Sequence, residues 1–282
     1  MKLGRITTPD GPEFAVRTRD DEGWTTLRSL GVHASTTSEA IAAWPRITGR
    51  PPAPGENGRE TTPVVAPSKI LAIGLNYADH VAETGKTATD PPTVFAKFPS
   101  SLNGPYDDIL LDPALTSELD YEVELAVVIG ATARRLTPDT ALTCVFGYAV
   151  GNDVSARDRQ VRPGQLSVSK SLDTFCPIGP WITTADEIPD PQRLGIRSSV
   201  NGEPRQDSTT AAMLFPVADL LVRLSATMTL RPGDVLLTGT PAGVGWAADP
   251  PGFLRPGDIV TCEIDGLGHI ANRVVLDPAA DR

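Results

Sequence analysis

The stretch DYEVELAVVIG, residues 120–130, constrains the fold more than any other. Its second half is a run of apolar and β-branched residues, the composition of a buried strand. Its first half alternates, so a strand here points Glu122 and Glu124 to one face, about 7 Å apart along the backbone. Two like charges on a buried face repel unless a cation lies between them. On its own, E-x-E is equally the solvated face of a strand leaving the core. A third carboxylate, Asp153, ends a second apolar run, CVFGYAVGND, and the question becomes whether the three converge on a metal.

The rest of the chain bounds the answer. At 282 residues there is enough chain for one large domain or a large one with an appendage, and 40% hydrophobic content is that of a globular protein. A net charge of −10 argues against nucleic acid or an anionic membrane as a partner, although one or two placed cations still suffice for an anionic substrate. The three cysteines, Cys144, Cys176 and Cys262, lie far apart without CxxC spacing, so neither a disulfide framework nor a zinc ribbon is expected. The first residues, MKLGRITTPDG, hold no apolar stretch of a secretory signal, and no run approaches the ~20 residues that span a bilayer. The expectation is a soluble, cytoplasmic protein. Gly (25) and Pro (27) are abundant enough to predict many turns in a sheet-rich fold.

In chain order, KLGRITT and FAVRT read as two strands around Pro9-Asp10-Gly11-Pro12. A short helix follows from Thr37 to about Trp44, capped by Thr37 or Ser38. The Pro- and Gly-rich text from Pro45 to Ser68 is the best boundary, dividing a small α+β module (1–66) from a main domain (67–282). KILAIGLN is a buried strand, YADHVAETG a helix ended by Gly85, and TVFAKFP another strand. Thr137-Pro138-Asp139 caps a helix, ARDRQ forms one helical turn, and Asn201-Gly202 after LGIRSSV marks a hairpin. FPVADLLVRLSATM has helical periodicity. LRPGDVLL and LRPGDIV use one turn-plus-strand device twice. Helices alternating with strands are too few for a doubly wound sheet.

Three carboxylates without a His or Cys companion form an all-oxygen set, which hard divalent cations prefer: Mg²⁺ first, with Mn²⁺ or Ca²⁺ as substitutes. Such an ion leaves open positions that the carboxylate and keto oxygens of a 2-oxo acid can fill. Lys170 lies in a stretch otherwise short of charge, as a counter-cation or as a surface lysine. Arg157 and Gln160 follow Asp153 at +4 and +7, lining a pocket or capping a solvated turn. His80 and Glu83 are helix neighbours, either a general base with its orienting carboxylate or an exposed pair. TGTPAGVG (238–245) matches neither the P-loop nor GxGxxG and reads as a backbone-lined approach for a small anion, with the Thr240 hydroxyl beside it.

Taken together, GLNYADHVAE, F-x-K before NGPYDDI, DYEVELAVVIG, GYAVGNDVSARDRQ, KSLDTFCPIGPW, VNGE and LRPGDVLLTGTPAGVG closely resemble the fumarylacetoacetate hydrolase family, particularly its shorter bacterial-type members, over about residues 69–275. The resemblance implies a predominantly β, α+β fold, the family's mixed β-roll, assembled as a homodimer. It implies Glu122, Glu124 and Asp153 as metal ligands and His80 with Glu83 as a dyad on a lid. Lys170 matches the active-site lysine, and Arg157, Gln160 and Thr240 match substrate contacts. Longer eukaryotic-type members add an Asp ligand without a counterpart here, which points away from fumarylacetoacetate itself. The implied activity is metal-dependent cleavage of a carbon–carbon bond in a 2,4-dioxo acid of acylpyruvate type. Decarboxylation or isomerisation of oxaloacetate-like or unsaturated 2-oxo dicarboxylic acids is the alternative, and a non-catalytic 2-oxo acid binder a further one.

Overall fold

The computed structural model describes residues 1–19, 22–48, 55–160 and 165–280. The elements that position the site are, in chain order, β1 (Lys2–Thr8), β2 (Gly11–Arg17), α1 (Thr37–Ile47), β3 (Ile70–Gly74), α2 (Ala78–Thr84), β4 (Thr93–Lys97), β5 (Val123–Ile129), β6 (Val145–Asn152), β7 (Cys176–Thr184), β8 (Gly195–Val200), β9 (Glu203–Thr209), α3 (Val217–Thr227), β10 (Val235–Leu237), β11 (Ile259–Ile264) and β12 (Gly268–Leu276).

β5 is buried along its whole length, because both of its faces are covered. Val123, Leu125, Val127 and Ile129 enter one core, with α3 and the inner face of a second sheet. Ala126 and Val128 enter another, with α1 and residues of β1 and β2. Glu122 and Glu124 continue this even-numbered face by the period-2 rule. The main sheet runs from β2 through β1, β7, β6, β5, β10 and β3 to β4, and the second through β9, β8, β11 and β12. Pairing is mostly antiparallel, with β10 and β3 parallel, so the fold is the mixed, predominantly β arrangement expected. No helix among the described residues is long and apolar enough to cross a membrane.

Residues before the Pro-rich stretch join this architecture directly. β1 pairs with β7 through Lys2–Thr183 and Leu3–Ile182, and Leu3, Phe14 and Val16 share a core with Ala126 and Val128. Part of the expected boundary, residues 49–54, lies outside the described residues. Two local expectations are corrected. The cap of α1 is Thr36, not Thr37 or Ser38, because its side chain accepts from Glu39 N while the Glu39 carboxylate accepts from Thr36 N, a reciprocal box. α1 also continues through Pro45 to Ile47, since a proline so near the end forfeits little helix beyond it. The Thr137 turn is a 3₁₀ helix. At the β8–β9 hairpin, Asn201 (φ 53°) and Gly202 (φ 82°) take the left-handed pair that a tight two-residue turn requires.

The repeated RPGD device is used at two depths. Asp234 is fully buried and accepts from Ser68 N, Ser68 Oγ, Lys69 N and Arg231 N, tying the entry of β3 to the entry of β10. Asp258 is half-buried and accepts from Arg255 N and Asn201 Nδ2. Asp234→Ala is therefore expected to lower unfolding free energy by about 2–4 kcal/mol, and Asp258→Ala by under about 1 kcal/mol, by urea denaturation. Equal losses would show that burial does not set the difference.

Candidate metal centre and active site

The carboxylates converge because two strands place them. β5 and β6 are antiparallel with Val123 opposite Asn152 and Glu124 opposite Gly151. The next pair outward is Glu122 and Asp153, joined by Asp153 N donating to Glu122 O at 2.9 Å. The partner bond is replaced by a side chain, since Glu122 N donates to Asn152 Oδ1 at 3.0 Å. One oxygen each from Glu122, Glu124 and Asp153 lies within 4.8 Å of the others, all three residues being buried. Two oxygens on one Mg²⁺ at ~2.1 Å lie at most ~4.2 Å apart, and on Ca²⁺ at ~2.4 Å at most ~4.8 Å, so the three carboxylates are placed close enough to converge on one hard cation.

The charge around the triad is unequal. Lys170 Nζ donates to Glu122 Oε2 at 2.8 Å and Asp153 Oδ2 at 2.5 Å. Lys97 Nζ donates to Asp153 Oδ1 at 2.6 Å and Val154 O at 3.1 Å. Arg157 spans Glu122 Oε1 (2.6 Å) and Asp120 Oδ2 (2.8 Å). Burial pushes the Glu122 carboxyl up, but Lys170 and then Arg157 overcome this and hold it below the usual carboxylate range. Glu124 makes no ion pair among the described residues; it accepts from Gly239 N at 2.7 Å. Burial, then Asp153, then Glu122 push its carboxyl well above that range. A divalent cation among the three would relieve this repulsion, and the donor set fits one.

The loop after β10 holds the ring together. Gly239 has φ 98°, and a Cβ there would meet Asn76 Cβ at 2.8 Å, so glycine lets its N–H reach Glu124. Thr240 Oγ1 donates to Val123 O at 2.9 Å and accepts from Gln206 Nε2 at 2.8 Å. Gly243 N donates to Glu83 Oε1 at 2.8 Å. Gly245 N and Trp246 N donate to Asp120 at 2.8 and 3.1 Å. The backbone donors expected to meet a small incoming anion at 239, 243 and 245 are thus taken by the protein's own carboxylates.

His80 is buried on an otherwise uncovered α2. Its Nδ1 lies 3.0 Å from Glu83 Oε2, which directs Nε2 away from the pair. α2 is docked at two points, by Glu83 on Gly243 and by Ser208 Oγ donating to Asp79 Oδ2 at 2.6 Å. A cavity of about 510 Å³ brings together His80, Glu122, Glu124, Arg157, Lys170 and Thr240, with Gln160 also in its wall. Glu83 stands behind His80, and Asp153 sits under Lys170. Four residues that sequence reasoning missed also shape the site: Asp120, Lys97, Gln206 and Trp246. Asp120 was in view as the first member of an Asp120, Glu122, Glu124 alternation, and Lys97 as the lone charge in TVFAKFP. Gln206, the buried residue in an exposed stretch of β9, carried no such signal.

A model of the fumarylacetoacetate (FAA) hydrolase C-terminal family matches residues 69–275, and the chain belongs to that family. It is 49% identical over 214 residues to the mitochondrial oxaloacetate tautomerase Fahd2a of Rattus norvegicus, covering 76% of this chain and 68% of that one. Among solved structures, a fumarylacetoacetate hydrolase from psychrophilic Exiguobacterium antarcticum superposes with TM-score 0.85 at 38% identity, covering 98% of this chain and 100% of the other. Maleylpyruvate hydrolase from Sphingobium sp. SYK-6, in complex with manganese(II) and pyruvate, superposes with TM-score 0.78 at 32% identity over 98% and 99% of the two chains.

Glu124→Ala removes the carboxylate that, among the described residues, has no lysine or arginine in ion-pair contact. It is expected to weaken Mn²⁺ binding, read by calorimetry, by more than the 10–100-fold typical of an outer-sphere change. Unchanged affinity would remove Glu124 from the centre.

Proposed function

We propose that this protein is a divalent-metal-dependent enzyme that moves protons and negative charge at the carbonyl of a 2-oxo acid. The observation that carries this is the meeting, in one cavity, of an all-carboxylate triad, a buried lysine against it and an imidazole held by a carboxylate. When bound to Glu122, Glu124 and Asp153, the cation supplies Lewis-acid polarisation of substrate oxygens. We assign Mg²⁺, with Mn²⁺ or Ca²⁺ as substitutes; the manganese in maleylpyruvate hydrolase supports a hard divalent ion.

The remaining work falls to the chain. Lys170 keeps a full positive charge, since Asp153 and Glu122 outweigh its burial and raise its pKa, and this charge offsets the negative charge growing on the substrate's 2-oxo oxygen. Glu83 holds His80 through Nδ1, leaving Nε2 to accept a proton. In hydrolysis of a 2,4-dioxo acid, that proton comes from water, whose oxygen attacks the distal carbonyl. The adjacent carbon–carbon bond breaks, its electron pair leaves with the pyruvate fragment as an enolate, and a proton returns to that carbon. Arg157 holds Glu122 in place, while Gln160 and Thr240 line the cavity as substrate contacts.

A second reading needs no attacking water: His80 exchanges a proton at the carbon next to the 2-oxo group, or the enolate forms by loss of CO₂. The tautomerase name of the 49%-identical rat relative favours it. We further propose residues 1–66 as a module added to the catalytic unit, consistent with a family match that starts at residue 69, and a homodimer as the assembly. Acetylpyruvate and oxaloacetate, each with Mg²⁺ or Mn²⁺ and an EDTA control, separate the two reactions. Pyruvate release from acetylpyruvate supports hydrolysis; enol–keto exchange or pyruvate formation from oxaloacetate alone supports the second. On the active substrate, His80→Ala is expected to lower kcat by roughly 10²–10⁴-fold with Mn²⁺ affinity kept. Near-normal turnover would remove the dyad.

A further inference from the structure

Two of the cations lining the cavity answer a carboxylate: Lys170 binds Glu122 and Asp153, and Arg157 binds Glu122 and Asp120. Lys86 does not. It follows α2 directly after Gly85, lines the same cavity as Glu122 and Glu124, and has no ion pair among the described residues. Its ammonium instead lies 4.6 Å from the ring centre of Trp246, whose other neighbour is Arg157 at 5.7 Å. Both Glu122 oxygens are already engaged, Oε1 by Arg157 and Oε2 by Lys170. Burial and then the Arg157 charge lower the pKa of Lys86 below that of an ordinary lysine, the condition of a cation short of an anion.

Lysine stems often lie on aromatic rings, so the contact alone decides nothing. Two more donors belong to residues that line this cavity. Trp246 Nε1 and Gln160 Nε2 are buried and have no acceptor among the described residues. Buried donors are ordinarily satisfied. Lys86 is exposed and has no ion pair among the described residues, and an ammonium beside two buried N–H groups without acceptors among those residues is the inventory that a carboxylate, which only accepts, would complete.

We infer that Lys86, seated on Trp246, is a specificity-determining residue that receives a second carboxylate of the substrate, so that the preferred ligand is a 2-oxo dicarboxylic acid rather than a monocarboxylic one. This rests on the reading that the 2-oxo acid group is held at Glu122, Glu124 and Asp153. Trp246 is itself positioned through its backbone N–H on Asp120, which also holds Arg157, so the wall that carries Lys86 is fixed to the triad by one carboxylate.

The test is calorimetric titration of the Mn²⁺-loaded protein with pyruvate and with the stable 2-oxo dicarboxylates ketomalonate and 2-oxoglutarate. In the wild type, at least one dicarboxylate should bind about tenfold or more tighter than pyruvate, the scale of one charge-assisted contact. Lys86→Met should erase that advantage with pyruvate binding unchanged, and Lys86→Arg should keep it. Absence of the advantage in the wild type, or its survival in Lys86→Met, overturns the inference. Failure of the wild type to bind Mn²⁺ in the loading step would overturn the metal reading on which the inference rests, whereas Mn²⁺ binding without a Lys86-dependent preference overturns the inference alone.

Discussion

Four carboxylates, those of Asp120, Glu122, Glu124 and Asp153, are buried where two interior strands of the main sheet begin and end, and the structure around them answers that cost. Isolated buried carboxylates would take up protons or unfold the region. Here each meets a different remedy. Asp120 is closed off by Arg157 and by backbone N–H groups of 121, 245 and 246. Glu122 and Asp153 share Lys170 and have one further cation each. Glu124 has one backbone N–H. This gradation separates scaffold from chemistry: Asp120 has nothing left to bind with, whereas Glu124 is the group whose charge most requires a cation from outside.

Lys170 links the two conditions of such a site. It bridges Glu122 and Asp153, and so neutralises them while no ion is bound. It also lies within reach of whatever occupies the cavity, with Phe95 5.3 Å from its ammonium on another side. A lysine so placed cannot leave without exposing two buried charges, which explains why it sits on the short helical turn Leu166–Ser169, with its own N–H given to Leu166 O. Its raised pKa is the electrostatic counterpart of that confinement.

Much of this was legible because it is written in short-range patterns. The alternation of Glu122 and Glu124, the burial of the run behind them, the Asn-Gly hairpin and the Gly85 helix end all depend on residues two to four apart. What escaped depends on pairings the chain makes only when folded. The role of Asp120 carries no signal in sequence, because its partners beyond Tyr121 N are the Arg157 side chain and two backbone groups more than 100 residues away. Gln206 lies in EPRQDST, a polar stretch whose burial at one residue follows from Val123 and Thr240 coming to meet it. Lys97 gives no sign of a role, since a lone lysine in a strand is ordinarily solvated. Thr36 was displaced by its neighbours as the helix cap because three consecutive hydroxyl residues offer the same chemistry, and only the reach of Glu39 distinguishes them.

The loop 238–246 shows how these parts act together. Its successive N–H groups hold Glu124 at the triad, Glu83 behind His80 and Asp120 beneath Arg157, while Thr240 clasps Val123 and Trp246 carries Lys86. Glycine-rich loops after strands elsewhere give their N–H groups to a ligand's phosphates; this one gives them to carboxylates of the protein. Glu124, Glu83 behind His80, and the Trp246 side of the cavity are thereby referenced to a single segment at the end of a buried strand. α2, attached through Glu83 to that segment and through Asp79 to Ser208, contributes few buried side chains of its own. A helix held chiefly by side-chain contacts rather than by a core opens at modest cost.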